Sequence, residues 1–231
     1  MEGMILAAGL GTRLRPLTDS RPKALVEVCG RTLLELCIGR MAEAGIRRVV
    51  VNVHHFGDMM IDYIGSRRWP CEVAVSDERP LLLDTGGALR HAAPLFSGRE
   101  DVLVHNVDIL SEVDFHDLEA CHRSAGNLAT LCVSRRTTRR MLRFSAEGQL
   151  ERRAEGCEAD ERTLAFSGIT LVSPELFGLL PEVDHPYPII DEYLRLVGQG
   201  YRIGSYRHPA EHWLDVGKPE TLEKASLWYR S

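Results

Sequence analysis

Lysine is scarce in this chain of 231 residues: only Lys23, Lys218 and Lys224 occur among 28 basic residues. The net charge is −5, which argues against nucleic acid as the main partner, because a polyanion needs a broad basic face. The six cysteines (Cys29, Cys37, Cys71, Cys121, Cys132 and Cys157) form no Cys-x-x-Cys pair. A structural zinc site is therefore not expected, and free thiols in a reducing cytoplasm are. No apolar run approaches the ~18 residues of a membrane-spanning helix, so no membrane is expected as partner. The first residues read as a strand entering a glycine loop rather than a charged and then apolar leader, so no signal peptide is expected. No Ser–His or His–Asp arrangement of the nucleophilic-catalysis kind is obvious in the sequence either.

What is present begins with Ala7–Val28, "AAGLGTRLRPLTDSRPKALVEV". Gly9 and Gly11 follow the apolar stretch Met4–Ala8, as in a phosphate-binding loop. Yet there is no Gly-Lys-Ser/Thr of a Walker loop, and Leu14 stands where a dinucleotide fingerprint has its third glycine. Instead Arg13, Arg15, Arg21 and Lys23 crowd into the same segment. One of only three lysines falls here, where a compact ammonium suits a phosphate. Pro16 and Pro22 restrain the loop.

The pattern along the chain alternates. Strands are expected at Met4–Ala8, Arg48–Val53, Glu72–Ser76 and Val102–His105. Helices are expected at Thr32–Ala44, Gly57–Ile64, Gly86–Ala93 (closed by Pro94) and Asp114–Ser124, with Asp114 as N-cap. This predicts an α/β, Rossmann-like fold with a mostly parallel mixed sheet flanked by helices. The second half changes character. Leu128–Ser134, Met141–Ser145, Gln149–Arg153, Leu164–Val172 and Tyr201–Tyr206 read as strands, with helices at Pro174–Leu180, Ile189–Val197 and Pro219–Trp228. One domain spanning 1–231 is the simplest division, with an alternating half to about residue 125 and a β-rich half after it.

In an open α/β sheet, ligands bind beyond the carboxyl ends of the strands. The loop after the first strand lies at that rim, and its glycines let backbone N–H groups approach an anion. Small Ala7 and Ala8 leave room for a flat ring. Asp108, in "VLVHNVDIL", ends a buried-looking strand at the same rim, where a carboxylate holds a divalent cation against phosphate oxygens; the alternative is an Asp that caps a turn. Asp215, in "HWLDVGKPETLEKA", sits in an apolar stretch and needs a partner. A metal shared with Asp108 supplies one; a salt bridge to an arginine is the alternative. Gly86-Gly87, in "LLLDTGGALRHA", reads as a helix start with free N–H groups open to a base or sugar, or as a tight packing contact. His54-His55 with Asp58 resembles metal ligands, but neighbouring strand residues point to opposite faces. Arg135, Arg136, Arg139 and Arg140 read as a solvated turn, with sugar-phosphate contact as the other reading. Cys29 and Cys37 lack a basic partner nearby in sequence and are not expected to be nucleophiles.

The loop, from Gly9 to Lys23, resembles the opening signature of the sugar-phosphate nucleotidylyltransferases: Gly-x-Gly-Thr-Arg, then Pro-x-Thr, then Pro-Lys. The Asp108 segment, "LDTGG", "FSGITLVSPELF" and "WLDVGKPETLEKA" are similar to the family's later motifs in order and spacing. It resembles most the short members that act on hexose-type 1-phosphates. The resemblance implies the nucleotide-diphospho-sugar transferase fold, with a nucleotide-binding half at about 1–125 and a sugar-binding half at about 126–231. It also implies transfer of a nucleoside monophosphate from an NTP (UTP, GTP, CTP or dTTP) to a sugar 1-phosphate. Ala7, Ala8, Gly9, Gly11 and Thr12 would then follow the nucleotide, with Gly86 and Gly87 near its base. Arg13 and Lys23 would bind phosphates, Asp108 and Asp215 would hold Mg2+, and Gly168 would line the sugar. A homo-oligomer is compatible with such a chain. Two departures stand out: Val107-Asp108 replaces the usual Gly-Asp, and the family's Glu-Lys-Pro segment, which grips the sugar phosphate, is missing. "LRFSAEGQLERRAEG" occupies that region, with Arg152 or Arg153 as substitutes. Two other readings remain at this stage. One is a catalytically silent nucleotide-sugar sensor. The other is a cytidylyltransferase acting on phosphocholine, for which Tyr187, Tyr193 and Trp213 would supply an aromatic cage.

Overall fold

The computed structural model describes residues 1–138, 140–154, 160–183 and 185–228; Arg139 and Cys157 lie outside them. The first half runs β1 (Glu2–Leu6), β2 (Glu27–Val28), β3 (Arg31–Thr32), α1 (Leu33–Glu43), β4 (Arg48–Val53), α2 (Gly57–Gly65), β5 (Glu72–Asp77) and α3 (Asp84–Ala92). It continues through β6 (Val102–Asn106), β7 (Ile109–Ser111) and α4 (Phe115–Ala125). The second half holds β8 (Ala129–Ser134), β9 (Met141–Phe144), β10 (Leu150–Arg153), β11 (Thr163–Val172), α5 (Glu175–Leu179), α6 (Ile189–Gly198), β12 (Ile203–Arg207), β13 (Trp213–Asp215) and α7 (Pro219–Trp228).

Among the described residues, nine strands share one sheet, with β10-β9-β11-β6-β1-β4-β5 as its main path and β8 and β12 branching from β11. Strands β5, β4, β1 and β6 are mutually parallel. Strand β11 then joins β6 antiparallel and carries the sheet into the second half. Alternation divides two cores. Ile5, Val49, Val51 and Leu103 pack under α1, α2 and α4, while Met4, Val50, Val102 and Val104 face α3, α5 and α6. Consecutive strand residues point to opposite faces, so a sheet covered on both sides reads as an unbroken apolar run.

Helix α1 starts where its sequence directs. Thr32 accepts from the Glu35 N–H while Glu35 bonds back to the Thr32 backbone, a reciprocal capping box. Asp114 caps α4 through the N–H groups of His116 and Asp117, as expected. Strand β1 begins and ends two residues earlier than the sequence suggests. Ala7 and Ala8 leave the ladder because a side chain takes their N–H groups. Two small sheets were not expected at all: the ribbon β2–β3 and the pair β7–β13.

Candidate active site

The floor of the opening loop is set by Asn52, a buried residue of β4. Its Oδ1 accepts the N–H of Ala7 at 2.6 Å and of Ala8 at 3.3 Å. Its Nδ2 donates to Oε1 of Glu78 at 2.9 Å. Glu78 is itself buried, and that burial pushes its carboxyl pKa above the ordinary value. Beyond this floor Gly9 is exposed. Gly11 adopts the left-handed conformation (φ +64), and its carbonyl accepts from the Thr18 hydroxyl at 2.8 Å. Buried Leu14 and Thr18 anchor the loop, while Thr12 and Arg13 remain exposed.

Four charged groups meet at the rim. Lys23 opens a single 3-10 turn whose next residues, Ala24 and Leu25, are buried. Its Nζ lies 2.6 Å from Oδ2 of Asp108. Asp108 follows β6, and Asp215 ends β13. The antiparallel β7–β13 pair sets Asp215 opposite Ile109, and the Val216 N–H donates to the Asp108 carbonyl at 2.8 Å. Arg13 then spans both carboxylates, 3.3 Å from Asp215 and 3.8 Å from Asp108. Oδ1 of Asp215 accepts the Gly217 N–H at 2.7 Å. A Cβ at position 217 would stand 2.5 Å from both Arg13 Nη2 and Asp215 Oδ1, so a side chain there would push the two groups from their present contact.

Arg13, Asp108 and Asp215 border a cavity of about 600 Å³ that also takes in Asn106, Gly168, Arg136, Arg140, Arg153 and Trp213. Its wall includes a bulge in β11, where the register shifts between Phe166 and Thr170. Gly168 sits in that bulge at φ +74, with Nδ2 of Asn106 only 2.7 Å from where a Cβ would be. The bulge is pinned by side chains from three other segments. Arg136 donates to the Phe166 carbonyl, and Trp213 Nε1 donates to the Ser167 carbonyl at 2.8 Å. The Ser167 hydroxyl lies 2.8 Å from Nε2 of His208, whose Nδ1 faces the Pro209 carbonyl at 2.9 Å. With Nδ1–H donating to Pro209, Nε2 accepts from Ser167. Ser167 is wholly buried, so this Ser–His contact is part of the wall. The Arg136 guanidinium lies 3.7 Å from the Trp213 ring centroid, and burial lowers its pKa from the ordinary arginine value.

Of the residues expected from sequence, Arg13, Asp108, Asp215 and Gly168 line this cavity, and Lys23 joins them through Asp108. Asp215 does find an arginine, and that arginine is Arg13. The glycine pair of α3 is a correction. The helix begins at Asp84, not at Gly86. The Gly86 N–H, expected to be free, donates to the Tyr187 carbonyl at 2.9 Å, and a Cβ on Gly86 would lie 2.5 Å from the Tyr187 ring. The pair serves close packing, and Asp84 and Thr85 are what α3 shows to the cavity. An open aromatic cage is also not formed. Trp213 is covered by Arg136, and the Tyr187 hydroxyl donates to the Pro181 carbonyl at 3.0 Å.

The other candidates scatter. His54 Nδ1 contacts the Glu78 carbonyl and Asp58 pairs with Arg79. No group of three or more His, Cys, Asp or Glu side chains suited to a metal exists among the described residues. Burial pushes the Cys37 thiol up to about 12, which removes it as a nucleophile. Arg153 reaches the cavity but is tied to Asp191 at 2.5 Å; Arg152 is exposed. Sequence reasoning missed Asn52, Glu78, Asn106 and Gly217, and it took Arg136 for part of a solvated turn. Gly217 had a signal, standing two residues after a candidate carboxylate; Asn52 had none beyond being polar within a run of valines. No helix among the described residues is long and apolar enough to cross a membrane.

The chain matches the Nucleotidyl transferase family model over residues 2–231. It is 33% identical to an N-acetylmuramate alpha-1-phosphate uridylyltransferase of Caulobacter vibrioides, over 94% of this chain and 92% of that one. It is 27% identical to a mannose-1-phosphate guanyltransferase beta-B of Xenopus laevis, over 99% and 64%. Its fold is similar to that of HddC from Yersinia pseudotuberculosis complexed with GMP-PN, at 20% identity, TM-score 0.79 and 99% coverage of both chains. It is also similar to that of a putative glucose-1-phosphate thymidylyltransferase from Bacillus anthracis in complex with a sucrose, at 18% identity and TM-score 0.82, over 100% and 96%. With the loop signature, the sheet and the charged rim in agreement, the chain belongs to the nucleotidyl transferase family, the sugar-phosphate nucleotidylyltransferases.

Proposed function

We propose that this chain transfers a uridylyl group from UTP to N-acetylmuramate 1-phosphate or a closely related sugar 1-phosphate, releasing pyrophosphate. The observation that carries the transfer is the rim quartet. Two cations of the opening loop and two carboxylates from two other segments are linked by ion pairs of 2.6, 3.3 and 3.8 Å beside a cavity of about 600 Å³. The choice of uridylyl and of the sugar is supported by the relative matched at 33% identity along nearly its whole length.

A phosphate oxygen of the sugar phosphate forms a bond to the α-phosphorus, and the bond from that phosphorus to the β-phosphate oxygen breaks. The nucleophile's second pKa is near ~6, so it is ionised at neutral pH and needs no general base. The barrier is crowding of negative charge, and positioning with electrostatic stabilisation carries the rate. Arg13 turns from the carboxylates to the departing pyrophosphate. Lys23, held against Asp108, neutralises charge between the two substrates. Asn52 keeps Ala7 and Ala8 flat beneath the nucleotide.

The residues also fit a magnesium ion. Asp108 and Asp215 are hard oxygen donors that already share one cationic group, Arg13. Magnesium is bound through one or two carboxylates with substrate phosphates and water, which suits a site with two carboxylates. When bound there it would supply Lewis-acid polarisation of phosphate oxygens.

The test is a pyrophosphate-release assay with magnesium, pairing UTP, GTP, CTP and dTTP with a panel of sugar 1-phosphates and phosphocholine. Release with UTP and N-acetylmuramate 1-phosphate above all other pairs is expected. Release with another pair overturns the substrate choice, and nucleotide binding without release from any pair overturns the transfer.

A further inference from the structure

The family's Glu-Lys-Pro grip on the sugar phosphate is missing from this chain, and among the described arginines of the segment in its place, the one that lines the cavity is Arg153, already paired with Asp191. The cavity nevertheless contains two arginines with no such partner. Arg136 forms no ion pair among the described residues. Its hydrogen bonds go to the Ser134 hydroxyl and the Phe166 carbonyl, neither of which neutralises it. Its guanidinium is also half withdrawn from water, flat against Trp213 at 3.7 Å. A cation in that position is costly unless an anion meets it. Arg140 is exposed and lines the same cavity, again with no ion pair among the described residues.

The placement of Arg136 is fixed by strand geometry. Trp213 and Asp215 are two residues apart on β13, so they share a face. The arginine stacked on Trp213 therefore stands beside Asp215, whose charge is the one that reaches it. The guanidinium is held edge-on by a carbonyl and a hydroxyl and face-on by an indole, which pre-organises its fork. This leaves it next to the carboxylate and Arg13 quartet, in the cavity that the β11 bulge walls. A bidentate guanidinium there matches a phosphate dianion.

We infer that Arg136, stacked on Trp213 and assisted by Arg140, receives the phosphate of the sugar 1-phosphate, in place of the absent Glu-Lys-Pro lysine. The inference rests on the transfer reading above. In that role Arg136 lowers the cost of bringing one polyanion against another, and Trp213 sets its orientation. Arg153 stays at the cavity edge, held by α6.

The test measures KM for the sugar 1-phosphate, KM for the NTP and kcat in Arg136→Ala, Arg136→Lys and Arg140→Ala. Binding of the NTP alone and thermal midpoints are measured alongside. Arg136→Ala is expected to raise KM for the sugar 1-phosphate roughly 10- to 100-fold, the range of one charge-assisted hydrogen-bonded contact. The NTP affinity is expected to stay within about twofold. Arg136→Lys is expected to recover part of the loss, because a point charge lacks the fork. Arg140→Ala, at an exposed position whose loss does not threaten folding, is expected to give a smaller rise in the same constant. If the wild-type chain turns over while Arg136→Ala and Arg140→Ala both keep the wild-type KM for the sugar 1-phosphate, the inference is wrong and the transfer reading stands. Equal loss of NTP and sugar-phosphate affinity, at an unchanged thermal midpoint, also overturns it. A wild-type chain inactive with every pair overturns the transfer reading instead.

Discussion

The two charged groups along the cavity are built on opposite plans. In the quartet each cation has a carboxylate: Lys23 has Asp108 and Arg13 has Asp215. Beside the β11 bulge, Arg136 and Arg140 form no ion pair among the described residues; the charge of Asp215 reaches Arg136 only from beyond pairing distance, and an aromatic ring and a carbonyl hold it. A balanced quartet is suited to exchanging partners, since each cation can leave a carboxylate for a phosphate without stranding a charge. An unbalanced pair is suited to waiting for an anion that must come from solution. The first arrangement fits the nucleotide and its metal, and the second fits the incoming sugar phosphate.

The sharpest way to break this comparison is at the quartet. Lys23→Ala and Asp108→Ala are each expected to lower turnover by ~10²–10³, the usual loss for one electrostatic contact in a transition state. Circular dichroism should show the fold retained. Near-normal kcat in either purified variant would remove that residue from the mechanism.

The bulge comes next. Gly168→Ala places a side chain at φ +74 and against Asn106 at 2.7 Å. The variant is expected to lose about 1–3 kcal/mol in denaturant unfolding and to raise KM for the sugar 1-phosphate more than for the NTP. Gly217→Ala is the counterpart at the quartet. It displaces the Arg13–Asp215 contact, so its expected loss is in kcat rather than in sugar-phosphate affinity.

A pH measurement reports on β6, the strand that leads to Asp108, from the face of the sheet where His105 meets Cys37 and Phe115. His105, in β6, is fully buried, and burial holds its pKa down from 6.5 to about 4. Its neutral form is the one folded, so its contribution is complete above pH 6.5 and is lost as pH falls toward 4. The loss saturates near 3 kcal/mol, roughly 1.4 kcal/mol per unit. Denaturant unfolding between pH 7 and pH 4 should show this slope, and His105→Gln should flatten it.

The sheet and most helices were legible because their signals are local. Apolar runs of four to six residues mark β1, β4 and β6, and Thr32 and Asp114 mark helix starts through their own side chains. The quartet was legible as four residues but not as one place. What brings Asp108 and Asp215 together is the three-residue pairing of β7 with β13, formed across about a hundred residues, and neither "ILS" nor "WLD" announces a partner. The Arg136–Trp213 stack is hidden for the same reason, since in sequence Arg136 belongs to a run of arginines that resembles a solvated turn. The glycines misled in the opposite direction. Gly86-Gly87 read equally as a helix start open to a base or sugar and as a packing contact, and the space they leave is filled by Tyr187, which no nearby residue foretells.

The most direct test of the two-plan account is calorimetry on two variants side by side. Titrating magnesium–UTP and then N-acetylmuramate 1-phosphate into Asp108→Asn and Arg136→Ala should separate the two groups. The account predicts weakened UTP binding in Asp108→Asn, and unchanged UTP binding with weakened sugar-phosphate binding in Arg136→Ala. Equal weakening of both ligands in both variants would contradict it.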